Sequence, residues 1–303
     1  MRTKYQASIA ALVCVCLWGF VAVVSRLGQV ELDTHQFMFW VSLSSFVTLL
    51  LVSIIKGTVT EVLNYSKKQL MQVIILGFLG TYLYYFLIFH SYAHGKSMEV
   101  MIVQYTWPIM VSVLSIVIFK EGFCWRKILA TAMGLLAVIL VITKGRFHAV
   151  SISHPNVLIT VALGALCFAI CNVFMKYIKV EGSSMFMSFF AVATLSSFTV
   201  MMWQSSFKFP SGREWLIVLF TGVIVNGLSD LLWLWGLRKV DASFLAPFIF
   251  ITPVVSTAYL MLFFHEPFHP AYAEGLLLIV ISGLLSTKTK SRTAPALVKT
   301  ADC

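Results

Sequence analysis

Charged side chains are scarce in this chain, and acidic ones are scarcer than basic ones: its 303 residues include 12 Asp and Glu against 22 Lys and Arg. These four residue types make up 11% of the sequence, whereas soluble domains carry about 25%. Hydrophobic residues make up 59% instead. This composition excludes an ordinary soluble domain and indicates a protein with several membrane spans.

The sequence also lacks the motifs of several kinds of chemistry. Its six cysteines form no C-x-x-C pair and no spacing typical of a secreted disulfide framework. It has no Gly-rich phosphate-binding loop and no D-x-x-D pair of carboxylates. His265-Glu266-Pro267-Phe268-His269 fits the H-E-x-x-H zinc motif, but Pro267 and Pro270 prevent the uninterrupted helix that this motif needs. We therefore expect that the protein binds no metal and no cofactor and is not an enzyme.

The net charge of +10 does not indicate a nucleic-acid partner, because no basic run with interleaved aromatic residues lies outside the apolar segments. Lys and Arg beside membrane spans hold loops in the cytoplasm. With the N-terminus in the cytoplasm, 16 of the 22 Lys and Arg fall on the cytoplasmic side and 6 on the outer side. We predict that both termini face the cytoplasm, in the plasma membrane of a bacterium or archaeon.

Ten segments are apolar over about the 20 residues that a helix needs to cross roughly 30 Å of hydrocarbon. Continuous apolar runs predict helices, since the strands of a membrane barrel are shorter and alternate in polarity. The predicted spans are 6–26, 36–55, 69–92, 98–119, 125–143, 156–177, 185–203, 215–236, 242–264 and 270–286. The predicted fold is therefore an all-α integral membrane protein with ten transmembrane helices.

Prolines and acids recur at matching places in the two halves of the chain. Pro108 precedes Glu121 by 13 residues, and Pro253 precedes Glu266 by 13 residues. The polar segment 144–155 separates two sets of five spans, and an odd number of spans turns the second copy upside down in the membrane. The predicted organisation is two inverted five-helix repeats, residues 1–148 and 149–286, followed by a cytoplasmic tail, residues 287–303.

A family pattern is carried by Trp18-Gly19, by the Pro108…Glu121 helix followed by Gly134, and by the Pro253…Glu266 helix followed by Gly275. In these residues the chain resembles the EamA-type members of the drug/metabolite transporter superfamily, over about residues 8–286. The resemblance implies a carrier with two inverted five-helix repeats. It also implies a central cavity lined by the first, third, fourth, sixth, eighth and ninth spans.

One helix is similar to the aromatic-amino-acid exporter branch of that superfamily. Glu99-Val100, followed by Tyr105-Thr106-Trp107-Pro108, matches the Glu-Val and the aromatic-x-Trp-Pro of that branch. Two residues depart from the family pattern: Trp40 stands where many relatives have an Arg, and Asp230 stands where the branch often lacks an acid. The resemblance implies export of amino acids or related metabolites.

The two prolines predict disturbed helices in the fourth and ninth spans. A proline inside a helix removes one hydrogen bond and frees the carbonyl four residues earlier, here those of Gln104 and Ile249. At membrane depth such groups are tolerated where they face protein or a water-filled cavity. Pro108 and Pro253 are therefore candidate hinges beside a substrate, and a static kink is the alternative.

Asp230 is predicted inside the eighth span, where an acid costs about 2.5–3.5 kcal/mol on insertion scales. It would bind a substrate ammonium or carry a coupling proton, and the alternative is a structural hydrogen bond to a neighbouring helix. The repeat places Tyr85 at the corresponding position of the third span, so we expect the two side chains to face each other. Glu99 and His90 are further candidates for a gate or for proton coupling, although a helix N-terminus also stabilises an acid such as Glu99.

Aromatic side chains near the predicted breaks complete the candidate site. Tyr105 and Trp107 can stack on a flat or cationic substrate, although most membrane aromatics serve packing. Packing is the interpretation that we favour for Trp18. The predicted substrate-binding residues are Tyr85, Gln104, Tyr105, Trp107, Asn172, Asn226, Asp230 and Trp235.

These features together predict a secondary transporter that works by alternating access and exports amino acids or related small metabolites. A multidrug exporter of lipophilic cations with the same fold is the alternative, and a membrane enzyme or a passive channel is the alternative from another class. The expected partners are a small-molecule substrate and the lipid bilayer, with protons as a candidate coupling ion. Direction, coupling and the choice between monomer and dimer are left open by the sequence.

Overall fold

The computed structural model describes residues 2–95, 97–119, 125–143, 145–146, 155–175, 177–240 and 242–264, together with residues 270, 271, 273–275, 277, 278 and 281. Within these residues the chain is helical apart from short turns and contains no strand, which confirms the all-helical fold. Four parts of the sequence predictions lie outside the described residues: Glu121, the H-E-x-x-H segment with Glu266, the boundary at residue 148 and the tail 287–303.

The helices follow the predicted spans closely. The α-helices are α1 (Arg2–Trp18), α2 (Val21–Gly28), α3 (Thr34–Ile55), α4 (Lys67–Gly77), α5 (Tyr84–His94), α6 (Ser97–Gln104), α7 (Trp107–Phe119), α8 (Trp125–Thr143), α9 (Pro155–Met175), α10 (Gly182–Gln204), α11 (Gly212–Leu219), α12 (Ser229–Lys239), α13 (Ala242–Ile249) and α14 (Thr252–Phe264). Val59–Asn64 forms a 3₁₀ helix. Two π-helical segments, Phe78–Leu83 and Phe220–Leu228, join α4 to α5 and α11 to α12.

Six continuous helical stretches in the described part of the chain are long and apolar enough to cross a membrane. They are Thr3–Gly28, Thr34–Ile55, Lys67–His94, Pro155–Met175, Gly182–Gln204 and Gly212–Lys239. The predicted fourth and ninth spans each consist of two shorter helices, and α8 occupies the predicted fifth span. Most of the predicted tenth span lies outside the described residues, so the count of ten stays a prediction.

Several elements recur at an interval of 145 residues. Helix α13 begins and ends 145 residues after α6, and α14 begins and ends 145 residues after α7. The stretches Lys67–His94 and Gly212–Lys239 are related by the same interval, and each contains a π-helical segment near its middle. The interval also relates Pro108 to Pro253, so the recurrence extends from sequence to secondary structure.

Helices α3 and α10 pack against each other more extensively than any other pair of described helices. Each begins at an acidic cap, which satisfies backbone N–H groups that have no partner within the helix. Asp33 accepts a hydrogen bond from the Gln36 amide at 2.9 Å, and the Gln36 side chain accepts one from the Asp33 amide at 3.1 Å. Glu181 accepts one from the Ser184 amide at 3.1 Å. These caps fix where the two central helices start.

Two glycines allow the stretches that contain the π-helical segments to approach this central pair. A Cβ atom at Gly77 would lie 2.9 Å from the Cα atom of Phe189 in α10. A Cβ atom at Gly222 would lie 2.6 Å from the carbonyl oxygen of Val41 in α3. Only glycine permits such close backbone contact. The carbonyl of Gly222 also accepts a hydrogen bond from Ser45 at 2.9 Å, which ties the second π-helical segment to α3.

Candidate functional site

The predicted fourth and ninth spans are both interrupted near their middle. Helix α6 ends at Gln104 and α7 begins at Trp107, and a turn at residues 105–106 joins them. Helix α13 ends at Ile249 and α14 begins at Thr252, with a turn at residues 250–251. The two turns, 145 residues apart, are called the first and second break below.

The breaks are wider than the proline kinks predicted from the sequence. Pro108 and Pro253 are the second residues of α7 and α14. The N–H groups in the first turn of a helix have no acceptor within the helix, so a proline there costs no helical hydrogen bond. A proline ring clashes with the carbonyl four residues earlier, and α6 and α13 end at those residues, Gln104 and Ile249. The helices therefore stop and restart at each proline.

A cavity of about 40 Å³ lies between the two breaks. Its lining residues are Trp18, Val21, Tyr84, Tyr85, Gln104, Tyr105, Trp107, Phe168, Asp230, Ile249 and Thr252. They come from the predicted first, third, fourth, sixth, eighth and ninth spans, which are the six that the family resemblance implies. Both halves of the chain therefore contribute to one site.

Five of the eight predicted substrate-binding residues line this cavity: Tyr85, Gln104, Tyr105, Trp107 and Asp230. Tyr85 and Asp230, which are related by the 145-residue interval, are both among these lining residues. Three further lining residues, Tyr84, Phe168 and Thr252, were not predicted from the sequence, and Trp18 was assigned to packing. The sequence does hold a signal for two of these residues, because Phe168-Ala169 in the predicted sixth span corresponds to Trp18-Gly19 in the first.

The other predicted substrate-binding residues lie elsewhere. Asn172 is half-buried, and its Nδ2 donates a hydrogen bond to the Phe168 carbonyl at 2.9 Å. Asn226 is 1% exposed, lies in the second π-helical segment and makes no hydrogen bond through its side chain to any described residue. Trp235 is 38% exposed and lies on the outer surface of the helix bundle. None of the three lines the cavity.

Of the candidate gate residues, Asp230 lines the cavity and His90 does not. His90 stacks on His94 with 4.1 Å between ring centroids, and on Phe86 with 6.0 Å. Glu99 belongs to α6, but its side chain lies outside the described residues. No group of three or more His, Cys, Asp or Glu that could hold a metal ion occurs in the described ranges.

Gln104 is held at both ends of its side-chain amide. The hydroxyl of Tyr92 donates to Gln104 Oε1 at 2.9 Å, and Gln104 Nε2 donates to the hydroxyl of Tyr84 at 3.1 Å. All three residues are buried. Because the amide is hydrogen-bonded to two tyrosines of α5, it fixes the end of α6 against that helix at the first break.

The aromatic walls of the cavity are fixed by contacts with one another. Tyr84 stacks on Phe168 with 4.3 Å between ring centroids, and Trp107 meets the same ring edge-on at 5.0 Å. Trp18 packs against Trp233 at 5.1 Å, and its Nε1 donates a hydrogen bond to Ser229 Oγ at 2.9 Å. Such pairs hold ring faces and edges in set orientations around the cavity.

Asp230 is the charged residue of the cavity wall. It stands at the second position of α12, directly after the second π-helical segment, and it is partly exposed. Its carboxylate has no hydrogen bond or ion pair with any residue in the described part of the chain. Tyr84 and Tyr85 line the cavity together with it. None of the described residues that line the cavity is Lys, Arg or His.

Comparison with known proteins agrees with this architecture. The EamA-like transporter family matches residues 6–143 and 156–288 as two separate regions. A transporter of Bacillus subtilis named YoaV is 23% identical over 281 residues, covering 91% of this chain and 94% of that protein. The aromatic amino acid exporter YddG of Ancylobacter novellus is 23% identical over 196 residues, covering 64% and 68%. One crystal structure of a protein with no stated function superposes with a TM-score of 0.79 at 18% identity, covering 93% of this chain and 97% of that one.

Proposed function

Because this chain belongs to the EamA-like transporter family, it is a multi-pass membrane transporter and not an enzyme, and we propose that it is a secondary carrier that works by alternating access. The proposed cargo is an amino acid or a related small metabolite, exported across the plasma membrane. The name of one relative, an aromatic amino acid exporter, supports this choice of cargo.

The pair of helix breaks is the observation that carries the proposal. Inverted-repeat carriers place discontinuous helices at the substrate site, near the middle of the membrane. Here the two breaks are related by the 145-residue interval and face one cavity, whose wall is drawn from both halves. In the proposed carrier, residues 1–148 and 149–286 are inverted repeats of five helices each, and both termini face the cytoplasm.

The size of the cavity requires movement. Its volume of about 40 Å³ is only a few times the roughly 10–15 Å³ that a cavity needs in order to hold one water molecule. A metabolite therefore enters only when the surrounding helices move apart. We propose that the breaks flex while α3 and α10, which pack along each other, hold the two halves together. Rocking about this pair would open the cavity to one side of the membrane and then to the other.

Counterflow in liposomes tests the proposal. The purified chain is reconstituted in liposomes loaded with unlabelled substrate, and uptake of the labelled compound is followed. A carrier accumulates label transiently, with a rate that saturates, because one site serves both directions. A passive channel gives equilibration without saturation or overshoot, and this result would contradict the proposal. Substrate candidates are first found by screening amino acids, amines and nucleosides for thermal stabilisation of the protein.

The aromatic wall favours one alternative cargo within the same fold, the lipophilic cations. Faces of Trp and Tyr attract cations, and an unpaired carboxylate adds to that attraction. Counterflow of bulky delocalised cations such as tetraphenylphosphonium, without counterflow of any metabolite, would identify the protein as a drug exporter.

A further inference from the structure

The charge distribution around the cavity gives information about the substrate. Asp230 places one carboxylate in the wall, and no described residue neutralises it through an ion pair or a hydrogen bond. Its counterpart at the 145-residue interval is Tyr85, which is neutral. A carboxylate kept at membrane depth without a partner is costly, and such groups normally pair with another group or face a pathway for ions or substrate. A cationic group of the substrate would supply the opposite charge.

The same wall has little to offer an anion. Its lining, as far as the chain is described, includes no Lys, Arg or His. Two side-chain N–H groups of the wall are already engaged, because Trp18 Nε1 donates to Ser229 and one N–H of Gln104 Nε2 donates to Tyr84. A substrate carboxylate placed here would lie in the field of Asp230 without a cationic side chain to balance it, and burying an unpaired charge is strongly unfavourable.

The helix N-termini at the breaks do not make up for this. Carriers of the inverted-repeat type often direct a half-helix N-terminus at an anionic group of the substrate. In this chain α7 and α14 both have proline as their second residue. Each N-terminus therefore has one backbone N–H fewer to donate to an anion. Asp230, by contrast, brings an acidic side chain to the same cavity.

The remainder of the wall suits the body of an aromatic or otherwise flat amine. Tyr84 and Phe168 present stacked rings, and Trp107 meets the Phe168 ring edge-on. A cation within about 6 Å of such a ring centroid gains roughly 0.5–2 kcal/mol, and more as water is excluded. Tyrosine hydroxyls beside Asp230 add acceptors for the three N–H donors of a primary ammonium group.

We propose that the site selects protonated aromatic monoamines, with Asp230 as the counter-ion of the ammonium group, over the amino acids that carry the same ring. This inference rests on the proposed carrier function and narrows its substrate class. The feature recognised is the positive charge with a flat apolar body, and the feature rejected is the additional carboxylate of an amino acid.

Three ligands that share one ring and spacing test the inference. Phenethylamine carries the ammonium alone, phenylalanine carries ammonium and carboxylate, and 3-phenylpropionate carries the carboxylate alone. Each is added at pH 7 to the purified full-length chain, and its affinity is measured by thermal stabilisation and by counterflow in liposomes. We expect phenethylamine to bind about tenfold or more tightly than phenylalanine, because the extra carboxylate is buried unpaired. We expect no binding of 3-phenylpropionate.

Two variants test whether the affinity for amines depends on Asp230. Asp230→Asn keeps the shape of the side chain and removes its charge, so phenethylamine affinity is expected to fall about tenfold or more. Glu61→Gln removes an acid outside the membrane-spanning stretches and serves as the matched control, with affinity unchanged. If Asp230→Asn fails to fold, the comparison of the three ligands on the unaltered protein still tests the selectivity for amines over amino acids.

The possible results separate this inference from the function on which it rests. Counterflow of phenylalanine at an affinity equal to or above that of phenethylamine would overturn the amine selectivity and leave the carrier in place. Equal affinity for tetraphenylphosphonium, which has no N–H donors, would overturn it in favour of a lipophilic-cation exporter. Unchanged amine affinity in Asp230→Asn would overturn the role of that residue. Failure of every compound to show counterflow would overturn the carrier function and this inference together.

Discussion

The carboxylate of Asp33 accepts a hydrogen bond from the hydroxyl of Ser205. Asp33 is the N-cap of α3, and Ser205 is the C-cap of α10. The opposite ends of the same helices are joined in a similar way. Glu181 is the N-cap of α10, and its Oε1 lies 4.0 Å from Nζ of Lys56, the C-cap of α3. The two antiparallel helices are thus joined at both ends by an acid that also caps its own helix.

Removing the first of these acids is expected to destabilise the protein. Asp33→Ala deletes the cap of α3 and the bond to Ser205, and loss of an N-cap costs about 0.5–2 kcal/mol. The measurement is the melting temperature in detergent, which falls by about 2–4 °C for each kcal/mol in a protein of this order of size. Glu61→Ala is the control, because Glu61 caps no helix. Equal melting temperatures for the two variants would contradict the capping role.

Glu181 predicts a dependence of stability on pH. Burial alone would raise the pKa of this carboxyl, but hydrogen bonds from Ser183 and Ser184 and the charge of Lys56 outweigh it, so the pKa lies below its ordinary value of 4.5. A carboxyl whose pKa is lower in the folded state stabilises the fold above the ordinary pKa, and this contribution is lost as the pH falls through the lowered value.

The test compares melting temperatures between pH 7 and pH 3 for the unaltered chain and for Glu181→Gln. The unaltered chain is expected to lose more stability below pH 4.5 than the variant does. Parallel pH profiles would show that Glu181 is not a source of the acid sensitivity. The same comparison with Glu61→Gln controls for a general effect of removing one acid.

Gln104 is expected to be a positioning residue at the first break. Gln104→Leu leaves the buried hydroxyls of Tyr84 and Tyr92 without their shared partner, at a cost of about 1–3 kcal/mol for each. Tyr92→Phe removes one partner and keeps the other bond, so its cost is expected to be smaller. A double-mutant cycle of the two changes measures the coupling between them. Strict additivity in melting and in transport would show that the observed bond has no energetic role.

Gly222 is expected to tolerate no side chain. A Cβ atom there would lie 1.8 Å from Ser44 Oγ and 2.6 Å from the Val41 carbonyl oxygen, and the carbonyl cannot move away without shifting α3. Gly222→Ala is expected to destabilise the protein by about 1–3 kcal/mol or to prevent its folding. Gly212→Ala is the matched control, since no atom lies within 4 Å of its Cβ position. Equal yields and melting temperatures of the two variants would refute the close approach.

Much of the cavity was predictable because the repeat relates residues at a fixed interval. Pro108 and Pro253 gave the positions of the two breaks, and the interval that relates them also related Tyr85 to Asp230, which share the cavity. Apolar length predicted the helices, since a membrane span allows few alternatives to a helix. These inferences rest on spacing along the chain, which the fold preserves.

The misplaced residues of the eighth span have a geometric explanation. Trp235 is five residues after Asp230, which is far from a whole number of turns at 3.6 residues per turn, so the two side chains project from different faces of α12. Asn226 is four residues before Asp230 and would share its face in a continuous α-helix. It lies instead in the second π-helical segment, whose i→i+5 hydrogen bonds change the register. Sequence periodicity contains no signal for that change.

The extent of contact between the two halves has a consequence for the peptide that connects them. Helices α3 and α10 join the halves along their length, and both contribute walls to one cavity. Cohesion therefore resides in the membrane-embedded surfaces, and the connecting segment 144–155 adds mainly proximity. A gene divided within that segment is expected to yield two polypeptides that associate in the bilayer and regain transport as a complementing pair.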